Sequence, residues 1–192
     1  MESAANHDDN IIPSVTDLRT LKQQALACKQ CGLSSIASCV RFGSGDQHAD
    51  ILLVADVPLM DQADVFTGDA NILLNQMLKA VGLQRDQLYI THMIQCATPN
   101  HRDPTVDEWA ACQPWLQQKI DWIQPTIILL MGRVAAQTVL QSEKHLDDLR
   151  GQWHAYQGIP VRVVYHPAYL LRAPRQKQLM WEDLQVIQER LR

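Results

Sequence analysis

No run in the 192 residues approaches the roughly 18 consecutive apolar side chains of a membrane-spanning helix. That absence excludes an integral membrane protein of the helical kind. The first ten residues, Met1-Glu-Ser-Ala-Ala-Asn-His-Asp-Asp-Asn10, are polar and acidic, so they are expected to be neither a signal peptide nor an anchor. No excess of basic charge exists either, since the net charge is −4. Non-specific affinity for nucleic acid comes largely from neutralising phosphates, so any such binding must rest on a local patch. Internal repeats and Gly/Ser linkers are also missing, which leaves one compact unit as the simplest organisation. We expect a flexible tail over residues 1–15 and a single domain over 16–192.

Five cysteines without an export signal point to a reducing compartment, and a cytoplasmic location is expected. Cys28 and Cys31 form a Cys-x-x-Cys pair, while Cys96 and Cys112 lie far downstream with 15 residues between them. A tight turn aims the first two thiolates at one point. The other two must come from elements that folding brings together. This pattern fits a metal site better than a disulfide, and four thiolates suit zinc or an iron–sulfur cluster equally by spacing. A redox pair is the other reading of Cys28 and Cys31. Cys39 is left over and reads as an ordinary buried or half-buried thiol.

Continuous apolar runs at Ile51–Val54, Leu88–Met93, Thr126–Met131 and Val161–Tyr165 read as buried parallel strands. Helical spacing fills the gaps. Leu73, Leu74, Met77, Leu78 and Val81 recur at three- and four-residue steps within Ala70–Val81. Thr105-Val-Asp-Glu108 is a capping-box signature that opens a helix ending at Ile123, before Pro125. Further helices follow Gly132 and span Lys177–Leu191. The alternation predicts a three-layer α/β/α sandwich with a mostly parallel central sheet of about four strands. Ligands in such sheets bind beyond the carboxyl ends of strands. Ala55–Leu59, His92 and His166 fall there.

From Leu26 onward the chain resembles the iron–sulfur-containing family 4 uracil-DNA glycosylases. The resemblance is carried by Val40-Arg-Phe-Gly-Ser-Gly45, Leu88-Tyr-Ile-Thr-His-Met-Ile-Gln-Cys96, Pro99-Asn-His-Arg-Asp-Pro104 and Cys112-Gln-Pro. Leu149-Arg-Gly-Gln-Trp153 and, above all, Tyr165-His-Pro-Ala-Tyr-Leu-Leu-Arg172 complete it. It implies hydrolysis of the N-glycosidic bond of uracil or another deaminated base in DNA, in base excision repair. It also implies that Cys28, Cys31, Cys96 and Cys112 hold a 4Fe–4S cluster. The expected partner is uracil-containing DNA, single- or double-stranded, bound by a monomer with no membrane contact; a replication or repair protein is a second partner class.

Cleaving the glycosidic bond requires extruding the base, stabilising a cationic sugar and supporting an anionic leaving base. By resemblance His166 supports the leaving uracil oxygen and Phe66 stacks on the base, with Pro58 in the same wall. Arg172, Arg175 and Lys177 follow directly and would meet phosphates; Arg133, which opens the helix after Gly132, is a further basic residue of this kind. The departures are specific. The family's Gly-Glu-x-Pro-Gly reads Ala55-Asp-Val-Pro-Leu59 here, so Asp56 replaces the catalytic Glu and both glycines are gone. The loop leading to Phe66 is shorter. His92 stands where the family has a uracil-reading Asn, His101 replaces another Asn, and Ala97 replaces a basic residue. Two readings follow: a glycosylase using Asp56 and His166, or a catalytically impaired descendant serving as a DNA- or protein-binding module in replication or repair.

Overall fold

The structure, a computed structural model, describes residues 17–36, 40–60 and 64–192. The expected tail over 1–15 and Cys39 lie outside these residues. Strands β1 (Ser44–Gly45), β2 (Ile51–Ala55), β3 (Leu88–His92), β4 (Ile127–Met131), β5 (Trp153–Tyr156) and β6 (Ile159–Val164) form one sheet in the order β1-β3-β2-β4-β6-β5. The four strands expected from the apolar runs are its parallel centre. The sheet is larger than expected because two short strands, β1 and β5, join its edges antiparallel.

Every residue of β2, β3 and β4 is buried, as strands covered on both faces must be. Alternate side chains divide between two cores. Leu52, Val54, Ile128 and Leu130 face α1 (Leu18–Leu26), α3 (Val106–Ile123) and α4 (Arg133–Val139). Ile51, Leu53, Leu129 and Met131 face α2 (Gly68–Ala80), α6 (Pro167–Arg172) and α7 (Lys177–Arg190). The result is the expected three-layer sandwich. A short helix, α5 (Leu146–Leu149), precedes β5. No helix among the described residues is long and apolar enough to cross a membrane.

Helix α3 forms as its sequence dictates. Thr105 Oγ1 accepts the Glu108 N–H at 3.2 Å, and Glu108 accepts the Thr105 N–H at 2.8 Å. Arg102 adds a two-pronged ion pair to the same Glu108 at 2.6–2.7 Å. Trp109, Leu116, Lys119, Ile120 and Ile123 make its buried stripe. The helix stops at Gln124, which is left-handed (φ 48°), ahead of Pro125.

Strand register sets the site. Ala55 pairs with both His92 and Met131, and Met131 pairs with Val164. The carboxyl ends of all four parallel strands therefore stop at one level, and Asp56, His92, Gly132 and His166 emerge together there.

Candidate active site and thiol cavity

A cleft of about 530 Å³ opens at that level, lined by Asp56, Gly132, Arg133, His166, Tyr169 and Arg172 among others. Asp56 turns back toward the protein. Its Oδ1 accepts the Ala135 N–H at 2.7 Å, at the first turn of α4. Gly132 lies against its carboxylate: a Cβ there would come within 2.1 Å of Oδ2, and the residue's φ of 112° disfavours any side chain. Burial pushes the Asp56 carboxyl up to about 6, against the pull of the Ala135 N–H and Arg133.

His166 caps α6, with Nδ1 accepting the Ala168 N–H at 3.2 Å. Burial lowers its value to about 4, with Arg172 adding to the effect. The ring is neutral, and its one proton must sit on Nε2. Phe66 packs against it with ring centroids 5.2 Å apart and planes tilted 44°. His92 Nδ1 lies 2.9 Å from the Asp56 carbonyl. Burial drives its value down to about 3, and the nearby His166, Lys119 and Arg41 push the same way.

Of the expected site residues, three line the cleft, whereas Phe66, Pro58 and His92 are buried and do not line it. Asp56, His166 and Arg172 share the cleft, Phe66 backs onto His166, and His92 is tied to the Asp56 backbone. Pro58 is buried in the loop after Asp56. Arg175 and Lys177 follow on the turn into α7 and do not line the cleft.

Sequence reasoning missed Tyr165 as a wall residue of its own. Its hydroxyl donates to Asp147 at 2.6 Å, and Arg150 lies 4.4 Å above its ring. Arg150 and Arg162 both reach the buried Asp183 at 2.7 Å. The only sequence signal was Tyr165's place beside the His-Pro motif, which says nothing about Asp147. Arg133 is held by Asp103 at 2.8 and 2.9 Å.

Cys28, Cys31, Cys96 and Cys112 line a second, small cavity of about 20 Å³, beside Leu33, Ile94 and Trp115. Folding thus unites the four cysteines that the spacing singled out. Among the described residues, no three His, Cys, Asp or Glu side chains are gathered as a single metal ion requires. Gln95 N–H donates to Cys112 Sγ at 3.3 Å, and burial raises the Cys112 thiol to about 11. Two turns along α3, the fully buried Lys119 donates to Thr91 Oγ1 at 2.9 Å and sits 4.5 Å over the Phe42 ring. Burial pulls it down to about 7, with the nearby Cys112 sulfur acting in the opposite direction.

A doubly covered parallel sheet with histidines and a carboxylate at its carboxyl edge, and four cysteines lining one small cavity, defines an α/β protein with a candidate ligand cleft. The uracil DNA glycosylase superfamily model matches residues 42–185, and the chain belongs to that superfamily. It is 33% identical over 184 residues to a type-4 uracil-DNA glycosylase of Sulfurisphaera tokodaii, covering 90% of this chain and 84% of that one. A type-4 uracil-DNA glycosylase of Archaeoglobus fulgidus is 30% identical, covering 90% and 92%. One from Thermotoga maritima is 28% identical, covering 88% and 91%.

Proposed function

We propose that the chain is a uracil-DNA glycosylase that hydrolyses the bond between uracil and deoxyribose in DNA. The observation that carries the reading is the neutral His166, which lines the cleft and whose bonded Nδ1 leaves Nε2–H as a donor. The extruded base enters that cleft beside His166, against which the buried Phe66 packs. As the glycosidic bond breaks, its electron pair leaves with uracil, and negative charge gathers on N1 and O2. His166 Nε2–H donates to that oxygen without transferring a full charge into a buried place. The sugar becomes cationic at C1′, and the Asp56 carboxylate, held by Ala135, supplies the opposing charge. Water adds to C1′ and its proton neutralises the released base. Arg172, Arg175 and Lys177 hold phosphates beside the cleft.

The group that the four cysteines would hold is read as a 4Fe–4S cluster: all four are thiols lining one small cavity, the ligand type such clusters take. Binding requires the thiolate form, so loading displaces the proton that burial holds on Cys112. The group would tie the end of α1 to α3 and to the loop after β3. DNA is the partner of this reading, and the protein acts as a monomer in the cytoplasm.

The test is incubation of the purified protein with uracil-containing single-stranded and duplex oligonucleotides, followed by cleavage at abasic sites. His166→Ala should lower cleavage by on the order of 10²-fold or more while leaving DNA affinity nearly unchanged, because its contribution arises as charge separates. Equal cleavage by the variant would remove His166 from the chemistry.

A further inference from the structure

Two buried side chains at the thiol cavity carry polar groups with nothing to bond to. Gln95, 3% exposed, and Trp115, 4% exposed, both line the cavity together with Cys28, Cys31, Cys96 and Cys112. Among the described residues neither polar atom of the Gln95 amide has a hydrogen-bond partner, and the Trp115 indole N–H has none. An unpaired buried donor is destabilising, and native proteins leave few of them. Two at one small cavity point to an acceptor that binds there. The carboxylate at the cavity, Glu108, is already engaged by Arg102 and the Thr105 N–H, so the acceptor chemistry on offer is sulfur. The main chain shows the same pattern, since the Gln95 N–H donates to Cys112 Sγ at 3.3 Å. Cys112, Trp115 and Lys119 recur at three- and four-residue steps, so α3 presents them on one face. Lys119 is a fully buried cation bonded to Thr91 Oγ1 at 2.9 Å. Burial raises the Cys112 thiol, and Lys119 works against that rise. Donors and positive charge therefore gather on the same side of the thiols.

We propose that the Gln95 side-chain amide and the Trp115 indole donate hydrogen bonds to the sulfurs of the group that the four cysteines hold, and so stabilise its negative charge. The inference rests on the cluster reading and names the residues that tune the cluster. A 4Fe–4S group on four thiolates carries negative charge on its sulfurs. Donors to those sulfurs favour the more negative, reduced form, and the partners behind the ligands govern affinity as well. Gln95 and Trp115 are positioning residues in this account, with no contact to DNA and no share in cutting it. Their unpaired state costs stability while the cavity is empty, and that cost is relieved on loading.

The test compares iron-loaded native protein with Gln95→Leu and Trp115→Phe, which keep an apolar or aromatic side chain and remove the donor. Each variant should keep its iron, yet take up an electron from an electrode at a lower potential. At the native midpoint the ratio of oxidised to reduced protein should rise by roughly three- to tenfold in each. Without the cluster the order changes: Gln95→Leu lacks the unpaired amide and should melt no lower than the native chain. Pulsed EPR of reduced native protein, loaded in heavy water, should show exchangeable hydrogens coupled to the cluster, and one coupling should vanish in Trp115→Phe. If Trp115→Phe fails to take up iron, Gln95→Leu and the native EPR spectrum decide the matter. Iron-replete variants with the native potential and every coupling retained would overturn the inference and leave the cluster reading standing, with the two side chains serving packing alone. Native protein that takes up no iron under anaerobic loading would end the cluster reading itself, and this inference with it.

Discussion

Asp56 is pulled two ways by its surroundings. Burial disfavours its charge while the Ala135 N–H at 2.7 Å favours it, and burial prevails, leaving the carboxyl at about 6 against an ordinary 3.8. The folded protein therefore holds the Asp56 proton to higher pH than the unfolded chain. Between about pH 4 and about pH 6 the folded state binds more protons, so stability falls as pH rises through that window. The cost, at ~1.4 kcal/mol per unit over roughly two units, is about 3 kcal/mol and persists above it. Asp56→Asn keeps an oxygen for Ala135 and removes the charge. Its melting temperature at neutral pH should match or exceed that of the native protein, while excision falls by on the order of 10²-fold. Native excision should rise with pH through about 6 as the carboxylate ionises. A variant that melts lower and excises normally would show that Asp56 serves the fold alone. None of this was legible in the sequence, which shows the missing methylene of Asp for Glu but not an anchor 79 positions away in Ala135.

Among the elements, those legible in the sequence were the ones whose surroundings are uniform. The central strands read as apolar runs because helices cover both faces, and α3 announced its start through Thr105 and Glu108. Strand β1 is two residues long and β5, Trp153-His-Ala-Tyr156, is mostly half-exposed, so neither carries a clear period. Helix α6 has six residues and opens on Pro167, too short for a repeating pattern. The four thiols were legible as a set because their chemistry is distinctive, whereas the pairing of Tyr165 with Asp147 depends on a loop geometry that no spacing encodes. Since α1, α3 and the loop after β3 all meet at the thiol cavity, the cluster should hold these elements together. Anaerobically purified protein should be brown and contain about four irons per chain. Cys96→Ser should lose iron and melt at lower temperature, and Cys39→Ser should keep its iron. Stoichiometric zinc with no iron would contradict the assignment.

For the molecule as a whole, a net charge of −4 must be reconciled with a polyanionic partner. Arg172 lies at the cleft, with Arg175 and Lys177 just beyond, whereas Arg133 is already engaged by Asp103. The first three should therefore dominate phosphate contact. Neutralising any one of them should weaken binding across sequences and flatten the logarithmic salt dependence by about one unit of slope. Affinity indifferent to both salt and these substitutions would place the DNA elsewhere. The central claim is catalytic, and one measurement tests it most directly: cluster-loaded native protein, at catalytic concentration, on matched oligonucleotides with uracil or cytosine at one position. The account predicts that uracil strands acquire alkali-labile abasic sites over many turnovers, that cytosine strands do not, and that His166→Ala abolishes the difference while binding both. Uracil strands left intact by stoichiometric, iron-replete protein that still binds them would contradict it, and would make the chain a binding module on a glycosylase fold.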